Sequence, residues 1–481
     1  MMTIRMHHGS VLLAAVPLFG LTFPSAPPCT RLTRAGTQIQ GEVKICPGRY
    51  RLADPGERGV IIVAASFTRL DLTGVTLESG DSVPGRFVGV GVMSKGVDRV
   101  EIIGGAIRGY RYGVRVEGGR GHRVSGMDLS GSRAQALRST ATVYSDLDWL
   151  NIFRPDTFDL YGGGLLLKWT DDVSVTGVTA RAAQNGISLF GTRGAYLADN
   201  DVSANTGWGI NLWLSARNVI VRNKAHHNAR CESPSYSHGC DSAGLLLRER
   251  SDSNLIADND LSFSGDGFFL SGHRPLVQPS IGNLVIRNNA SFSYHNAFES
   301  TFSAWNVFIE NRADSSGYGF WLGYSTGNVV RGNTIVGARA DGIAIEHGSD
   351  TEIAANVIIG GVRGIHLFAP HSGHEESTNY RLHDNTLARV GQGIVLERTT
   401  QSRVRGNLFD AVGEGLVVDS MGAETEVTGN VFLRADGAFI RAPRLSAGGN
   451  YWGAPSEAVT ATRVEGAVSL APWRPASAAG Y

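Results

Sequence analysis

The residues able to do chemistry in this chain gather at fixed offsets from a recurring glycine. Counting that glycine as zero, the plus-two residues of successive copies are Ser188, Asn211, Leu246, Phe269, Glu299, Trp321, Ala344 and His366, with Ala297 in the place of the glycine before Glu299. Plus four gives Lys168, Phe190, Trp213, Arg248, Ser271, Thr301, Gly323, Glu346 and Phe368, and the position before the glycine gives Asp266, Asn296, Tyr318 and Asp341. In an extended chain plus two and plus four share one face, opposite to plus one and plus three. The expected outward lanes therefore carry carboxylates, aromatic rings, Arg and His. Glu299 is the sharpest candidate, because Phe269 and Trp321 flank it and an apolar setting lifts a carboxyl toward the range of a general acid near neutrality. Paired carboxyls about 5 to 9.5 Å apart carry out glycoside hydrolysis. Asp266 is the expected catalytic partner of Glu299, with Glu346 in reserve.

The same lanes supply a binding surface for a glycan. Trp213, Trp321 and Tyr318 offer ring faces on which sugars stack, and Arg248, His273, His295, His347 and His366 offer hydrogen bonds to its polar groups. A second mechanism fits this surface: a uronate lyase or C5-epimerase needs a cation or metal to neutralise the substrate carboxylate and a base to take the C5 proton. Arg248, His273, His295 and Lys168 could serve it. No cofactor is expected for the hydrolase, and calcium only for the lyase. A transition-metal site at His226, His227, His238 and Asp241 is a weaker expectation, since neighbouring strand residues point to opposite faces unless they lie in a turn. Asp258-Asn259 and Asp384-Asn385 could ligate calcium, although stacked corner ladders explain them more simply.

The elements that must position these residues follow from the glycine phrase itself. Gly164-Leu-Leu-Leu, Gly186-Ile-Ser-Leu, Gly209-Ile-Asn-Leu, Gly244-Leu-Leu-Leu, Gly267-Phe-Phe-Leu, Gly319-Phe-Trp-Leu and Gly342-Ile-Ala-Ile return mostly at about 22 residues. Between them runs a second phrase ending in Asn223, Asn259, Asn288, Asn333 and Asn407. Each period holds about three short alternating strands punctuated by Gly and Asn, the residues that tolerate left-handed turns. Leucine-rich repeats are excluded, because no fixed Leu-x-x-Leu-x-Leu frame is present. The expected fold is all-β, a parallel β-helix solenoid of about 22-residue coils whose inward Ile, Leu, Val and Phe fill one continuous core.

Gly-Ile-x-Leu, Gly-Asn-x-Ile and the ending Gly449-Asn-Tyr-Trp-Gly453 resemble the right-handed parallel β-helix repeat superfamily from about residue 40 to 453. The resemblance implies right-handed coiling. It spans pectate-lyase-like enzymes, polysaccharide hydrolases and lyases, alginate C5-epimerases and the periplasmic accessory protein for copper insertion into nitrous oxide reductase. The Asp-Pro-His-Asp string of the alginate epimerases is absent, so no single activity follows.

Composition narrows the partners. Lys plus Arg equals Asp plus Glu at 44 each, which removes the basic footprint of nucleic-acid binding. Arg5 and the apolar run Ser10 to Phe23 have the order of a secretory signal over 1–26, and that run is too short to span a bilayer. Cys29 with Cys46 and Cys231 with Cys240 suit two disulfides in an oxidising compartment. The chain divides into an N-terminal cap at 29–71, coils over 72–453 and a loose tail at 454–481. Insertions at Ala229 to Ser242, Ser271 to Ser280 and Ala369 to Thr378 are expected to wall a groove. The combined expectation is a secreted or periplasmic carbohydrate-active enzyme with a poly- or oligosaccharide substrate. A non-catalytic glycan-binding or copper-accessory protein is the competing class. Nothing in the sequence indicates the oligomeric state.

Overall fold

A computed structural model describes residues 29–140, 142–154, 156–230, 239–272, 278–370 and 377–478. The chain winds as a right-handed parallel β-helix. Each coil contributes strands to stacked parallel sheets, a front sheet of 17 strands, a second of 15, and a third face made of sheets of 7 and 3. Coils stack in register: Ile187 opposes Ile210, Ile210 opposes Leu245, Leu245 opposes Phe268, and Phe268 opposes Phe298. These plus-one residues and their plus-three neighbours fill the interior. α-Helices are confined to Thr157–Tyr161 and Glu457–Ala461 among the described residues.

The glycine phrase has a packing cause. A Cβ on Gly186, Gly209 or Gly244 would lie 2.5 to 2.7 Å from the backbone oxygen of the next coil's glycine, so a side chain there would push the coils apart. The turn function belongs to the residue before each corner asparagine, where Asp199, Arg222, Asp258 and Arg287 take left-handed φ of 52° to 57°. The asparagines form the expected ladder: each Nδ2 from Asn200 through Asn223, Asn259, Asn288, Asn311 and Asn333 donates to the next coil's Oδ1 at 2.9 to 3.1 Å.

Both ends depart from the expected division. The segment read as a cap is itself coiled, since Thr37–Ile39 pairs with Ile61–Val63 and that strand with Val90–Lys95. A disulfide joins Cys29 to Cys46. The tail is not loose: Val464–Ser469 adds a last strand to the front sheet, and Val464, Val468 and Trp473 pack against the core. Without that strand the apolar end of the last coil would face water. The expected signal at 1–26, Cys231 with its bond to Cys240, His238 and His273 lie outside the described residues.

Candidate functional site

The outward lanes of the front sheet divide into a covered half and an open half. Gly113 and Gly164 sit on neighbouring coils, because Tyr112 pairs with Gly163. Much of the sequence between them is therefore extra, and it folds back across the sheet as a second layer. Leu150, Ile152 and Tyr161 of this layer pack on Trp208, Ala243, Leu246 and Phe269. Phe158 packs on Tyr112, Leu166, Phe190 and Trp213. Leu150 N–H donates to the Cys240 carbonyl at 3.3 Å, and Asn151 N–H to the Tyr161 hydroxyl at 2.8 Å.

This layer corrects the reading of Trp213 and Arg248 as an exposed binding surface. Both point outward as alternation requires, yet Trp213 is 3% exposed and Arg248 2%. The guanidinium lies 3.9 Å from the Trp213 ring centre and reaches Thr157 Oγ1 at 3.4 Å. Burial pulls the Arg248 pKa down to about 9. Alternation indicates which face a side chain takes, not whether a later segment covers that face. The signal for the cover was present in the sequence, a stretch of about 50 residues from Gly113 to Gly164 with no glycine phrase of the repeating type.

Where the cover ends, the lane opens on Asp266, His295 and Glu299. Asp266–Ser271 and Asn296–Thr301 are adjacent strands with Phe269 opposite Glu299. Asp266 Oδ1 lies 3.1 Å from His295 Nδ1 and accepts the Asn296 backbone N–H at 2.9 Å. Asn296 Nδ2 donates to Glu299 Oε2 at 2.5 Å, and Glu299 Oε2 lies 3.9 Å from His295 Nδ1. Ligand-capable atoms of Asp266, His295 and Glu299 all lie within 4.8 Å of one another. Burial, reinforced by the Asp266 charge, raises the Glu299 carboxyl to about 8 despite His295 and the Asn296 bond. For His295 burial acts downward, but Asp266, with Glu299 and Asp241, outweighs it and raises the imidazole to about 9. Burial and Asp266 lift Asp241 to about 7. Asp266 is enclosed, whereas Glu299 keeps 9% exposure and the His295 side chain 28%, so solvent meets the cluster on their side.

The remaining candidates flank this cluster. Trp321 opposes Glu299 on the next strand, is half-buried, and meets Tyr318 edge to face at 5.0 Å. Glu346 lies two coils away and accepts from the Tyr324 hydroxyl at 3.0 Å. His347 is buried against the Tyr324 ring at 5.2 Å. His366 is also buried, 3.2 Å from Asp341, whose carboxylate takes two hydrogen bonds from Arg363. This ion-paired setting and its stack on Phe368 at 4.2 Å account for His366 structurally. His226 and His227 do turn the same way, with Nδ1 atoms 2.7 Å apart, because His227 takes φ 56°. Asp241 is not with them; it adjoins Asp266. Asp258 is paired with Arg287 at 2.8 Å and Asp384 with His383 at 2.9 Å.

The chain matches the sequence profile of a family described as "Periplasmic copper-binding protein (NosD)" over residues 79–274, 249–375 and 281–465. No curated protein matches it. Among solved structures it is similar to the A-module of mannuronan C-5 epimerase AlgE6 of Azotobacter vinelandii, at 14% identity over 81% of this chain and 90% of that one, TM-score 0.44. A periplasmic alginate epimerase AlgG variant shares 13% identity over 81% and 74%, TM-score 0.39. A family 28 exopolygalacturonase of Yersinia enterocolitica shares 10% over 79% and 73%, TM-score 0.37. Likeness at these levels assigns no activity.

Proposed function

The chain belongs to the family described as periplasmic copper-binding protein (NosD), and within it we propose an exported carbohydrate-active enzyme that cleaves or rearranges a glycan by acid/base chemistry at Glu299. One observation carries this reading: a carboxyl raised to about 8 that still reaches the surface beside a half-buried Trp. At neutral pH Glu299 holds a proton. A glycosidic oxygen laid against it would take that proton as the bond to the sugar carbon breaks, and water adding to that carbon would give up a proton to restore Glu299, with the proton transfer contributing about 100- to 10,000-fold in rate. Trp321 and Tyr318 would hold the adjoining ring.

Asp266 fits a positioning role better than that of second catalytic carboxylate. It is enclosed, its Oδ1 is taken by His295 and the Asn296 N–H, and it stands closer to Glu299 than the roughly 5 Å minimum of paired-carboxylate hydrolysis. Glu346 is the remaining partner, at ~12 Å between Cα atoms from strand rise and spacing.

The family description names copper, so the donor sets must be tested for it. Asp266, His295 and Glu299 form the one cluster of three ligand types among the described residues. The Asn296 side-chain amide, 2.5 Å from Glu299 Oε2 and 3.1 Å from His295 Nδ1, occupies the space between them. The set includes no thiolate or thioether. His226 and His227 supply two nitrogens and no third ligand among the described residues. Neither arrangement offers the sulfur ligands that select copper(I), and no step here runs through copper.

A uronate lyase or epimerase is the second reading, favoured by His295. An imidazole raised to about 9 stays cationic at neutral pH and could neutralise a substrate carboxylate. Export is supported by the family description, the signal-like N-terminus and the Cys29–Cys46 disulfide; no helix among the described residues is long and apolar enough to cross a membrane. Incubating the purified chain with neutral and uronic polysaccharides tests the reading. New reducing ends without ultraviolet absorbance identify the hydrolase, an unsaturated absorbing product identifies the lyase, and binding without any product overturns the enzyme reading.

A further inference from the structure

The cover lies on a surface more polar than an apolar interface requires. Beneath it the plus-two lane runs Ser188, Asn211, Leu246 across adjacent strands, and the plus-four lane runs Phe190, Trp213, Arg248 beside it. Ser188 Oγ, Asn211 Oδ1, and both Nε and Nη1 of Arg248 are buried with no hydrogen-bond partner. Four unpartnered polar atoms on three neighbouring strands are a costly floor for a permanent second core, at roughly 1 to 3 kcal/mol for each buried group left unsatisfied. The guanidinium lies over the Trp213 ring, 3.9 Å from its centre, and its Nε and Nη1 hydrogens have no protein acceptor. A planar donor with free N–H groups, next to a hydroxyl and an amide oxygen, matches a carboxylate attached to a hydroxylated ring.

The cover is fastened at separate points rather than through one continuous core. Between residues 147 and 160 it turns Leu147, Trp149, Phe153 and Leu160 to solvent, each at least 38% exposed. Its inward apolar contacts are those of Leu150, Ile152, Phe158 and Tyr161. Its polar ties include the Tyr112 hydroxyl donating to the Phe158 carbonyl, Arg230 donating to the Asp148 carbonyl, and Asp159 paired with Arg115 and Lys168 at 3.2 and 3.7 Å. It ends against Phe269, the lane neighbour of Glu299, so the covered floor adjoins that residue.

We propose that the covered part of the front sheet is a latent subsite for an acidic sugar: Arg248 takes the carboxylate, Asn211 and Ser188 take hydroxyls, and the covering residues 149–154 and 156–162 lift to admit them. The proposal rests on the glycan reading of Glu299 and adds the substrate class and the element that controls access.

Calorimetric titration of the full chain with oligogalacturonate, oligomannuronate and a neutral cello-oligosaccharide of equal length tests it. At least one acidic probe should bind about tenfold or more tighter than the neutral one. Arg248→Met should erase that preference while leaving neutral affinity and thermal stability intact, since an uncompensated buried charge is replaced by an apolar side chain of similar length. Hydrogen exchange in 149–162 should quicken when the acidic probe binds. Asn211→Ala, which leaves the guanidinium packing in place, serves if Arg248→Met misfolds and should weaken the acidic probe about threefold. Equal binding of acidic and neutral probes, a preference that survives Arg248→Met, or unchanged exchange in 149–162 overturns the subsite. If that happens while a glycan is still turned over through Glu299, the subsite alone is rejected. If none of the probes binds, the glycan reading falls with it.

Discussion

Glu299 has its character because its two neighbours in the lane are Phe269 and Trp321, with Asp266 on the coil before it. Its pH linkage has a definite sign. From its ordinary 4.5 up to about 8 the folded protein keeps a proton that the unfolded chain has released, and His295 extends this window from 6.5 to about 9. Their stabilising contribution is full below these ordinary values and is lost as pH rises through the folded ones. Thermal unfolding should therefore show lower stability near pH 9 than near pH 5. Glu299→Gln should change stability by no more than about 1 kcal/mol near pH 5 and gain several kcal/mol near pH 9, at about 1.4 kcal/mol for each pH unit between the ordinary and the folded value; an equal effect at both would show that Glu299 does not change its charge between them. At Trp321, replacement by Ala should weaken glycan binding about 10-fold or more with kcat less affected, as expected for a stacking contact. The nearness of Asp266 to Glu299 was legible because strand alternation and the coil period together set which side chains are neighbours, whereas His295 was read only as a separate binding candidate. The burial of Trp213 and the ion pairing of His366 were not, because each depends on residues outside its own lane: Phe158 for the first, Arg363 and Asp341 for the second.

At the scale of the element, two devices hold the coils in register, and they answer to different physics. The Asn ladder satisfies buried corner amides. Asn288 donates to Asn311 Oδ1 and the Ile256 carbonyl while accepting from Asn259. Asn288→Ala should strand those partners and cost about 2 to 4 kcal/mol, whereas Arg222→Ala, which breaks the exposed Arg222–Asp199 pair at 2.8 Å, should cost less than about 1 kcal/mol. Chemical denaturation of the two variants checks the contrast, and equal losses would mean that the ladder adds nothing beyond a surface ion pair. The ladder was legible from Asn spacing alone. The glycine column was legible as a motif, but its cause, contact with the next coil's carbonyl, emerges only when coils are stacked. The closing coil was misread as loose because its alternation is weak and its apolar anchors Val464, Val468 and Trp473 are widely spaced.

For the whole molecule, a solenoid distributes stability along one axis, so it tolerates a large outward addition such as the cover without altering the core. Inward positions have no such latitude: Ile343→Asp places a charge among fully buried neighbours and should cost at least about 3 kcal/mol, read as loss of the cooperative thermal transition. Where the cover stops, Glu299 and the His295 side chain reach solvent, and the reading of the molecule turns on what Glu299 does there. The most direct measurement is steady-state turnover of a glycan substrate by Glu299→Gln beside the unaltered protein, with binding measured in parallel. The account predicts a fall in kcat of about 100- to 10,000-fold with affinity retained. Near-normal turnover by the variant on the same substrate would contradict it.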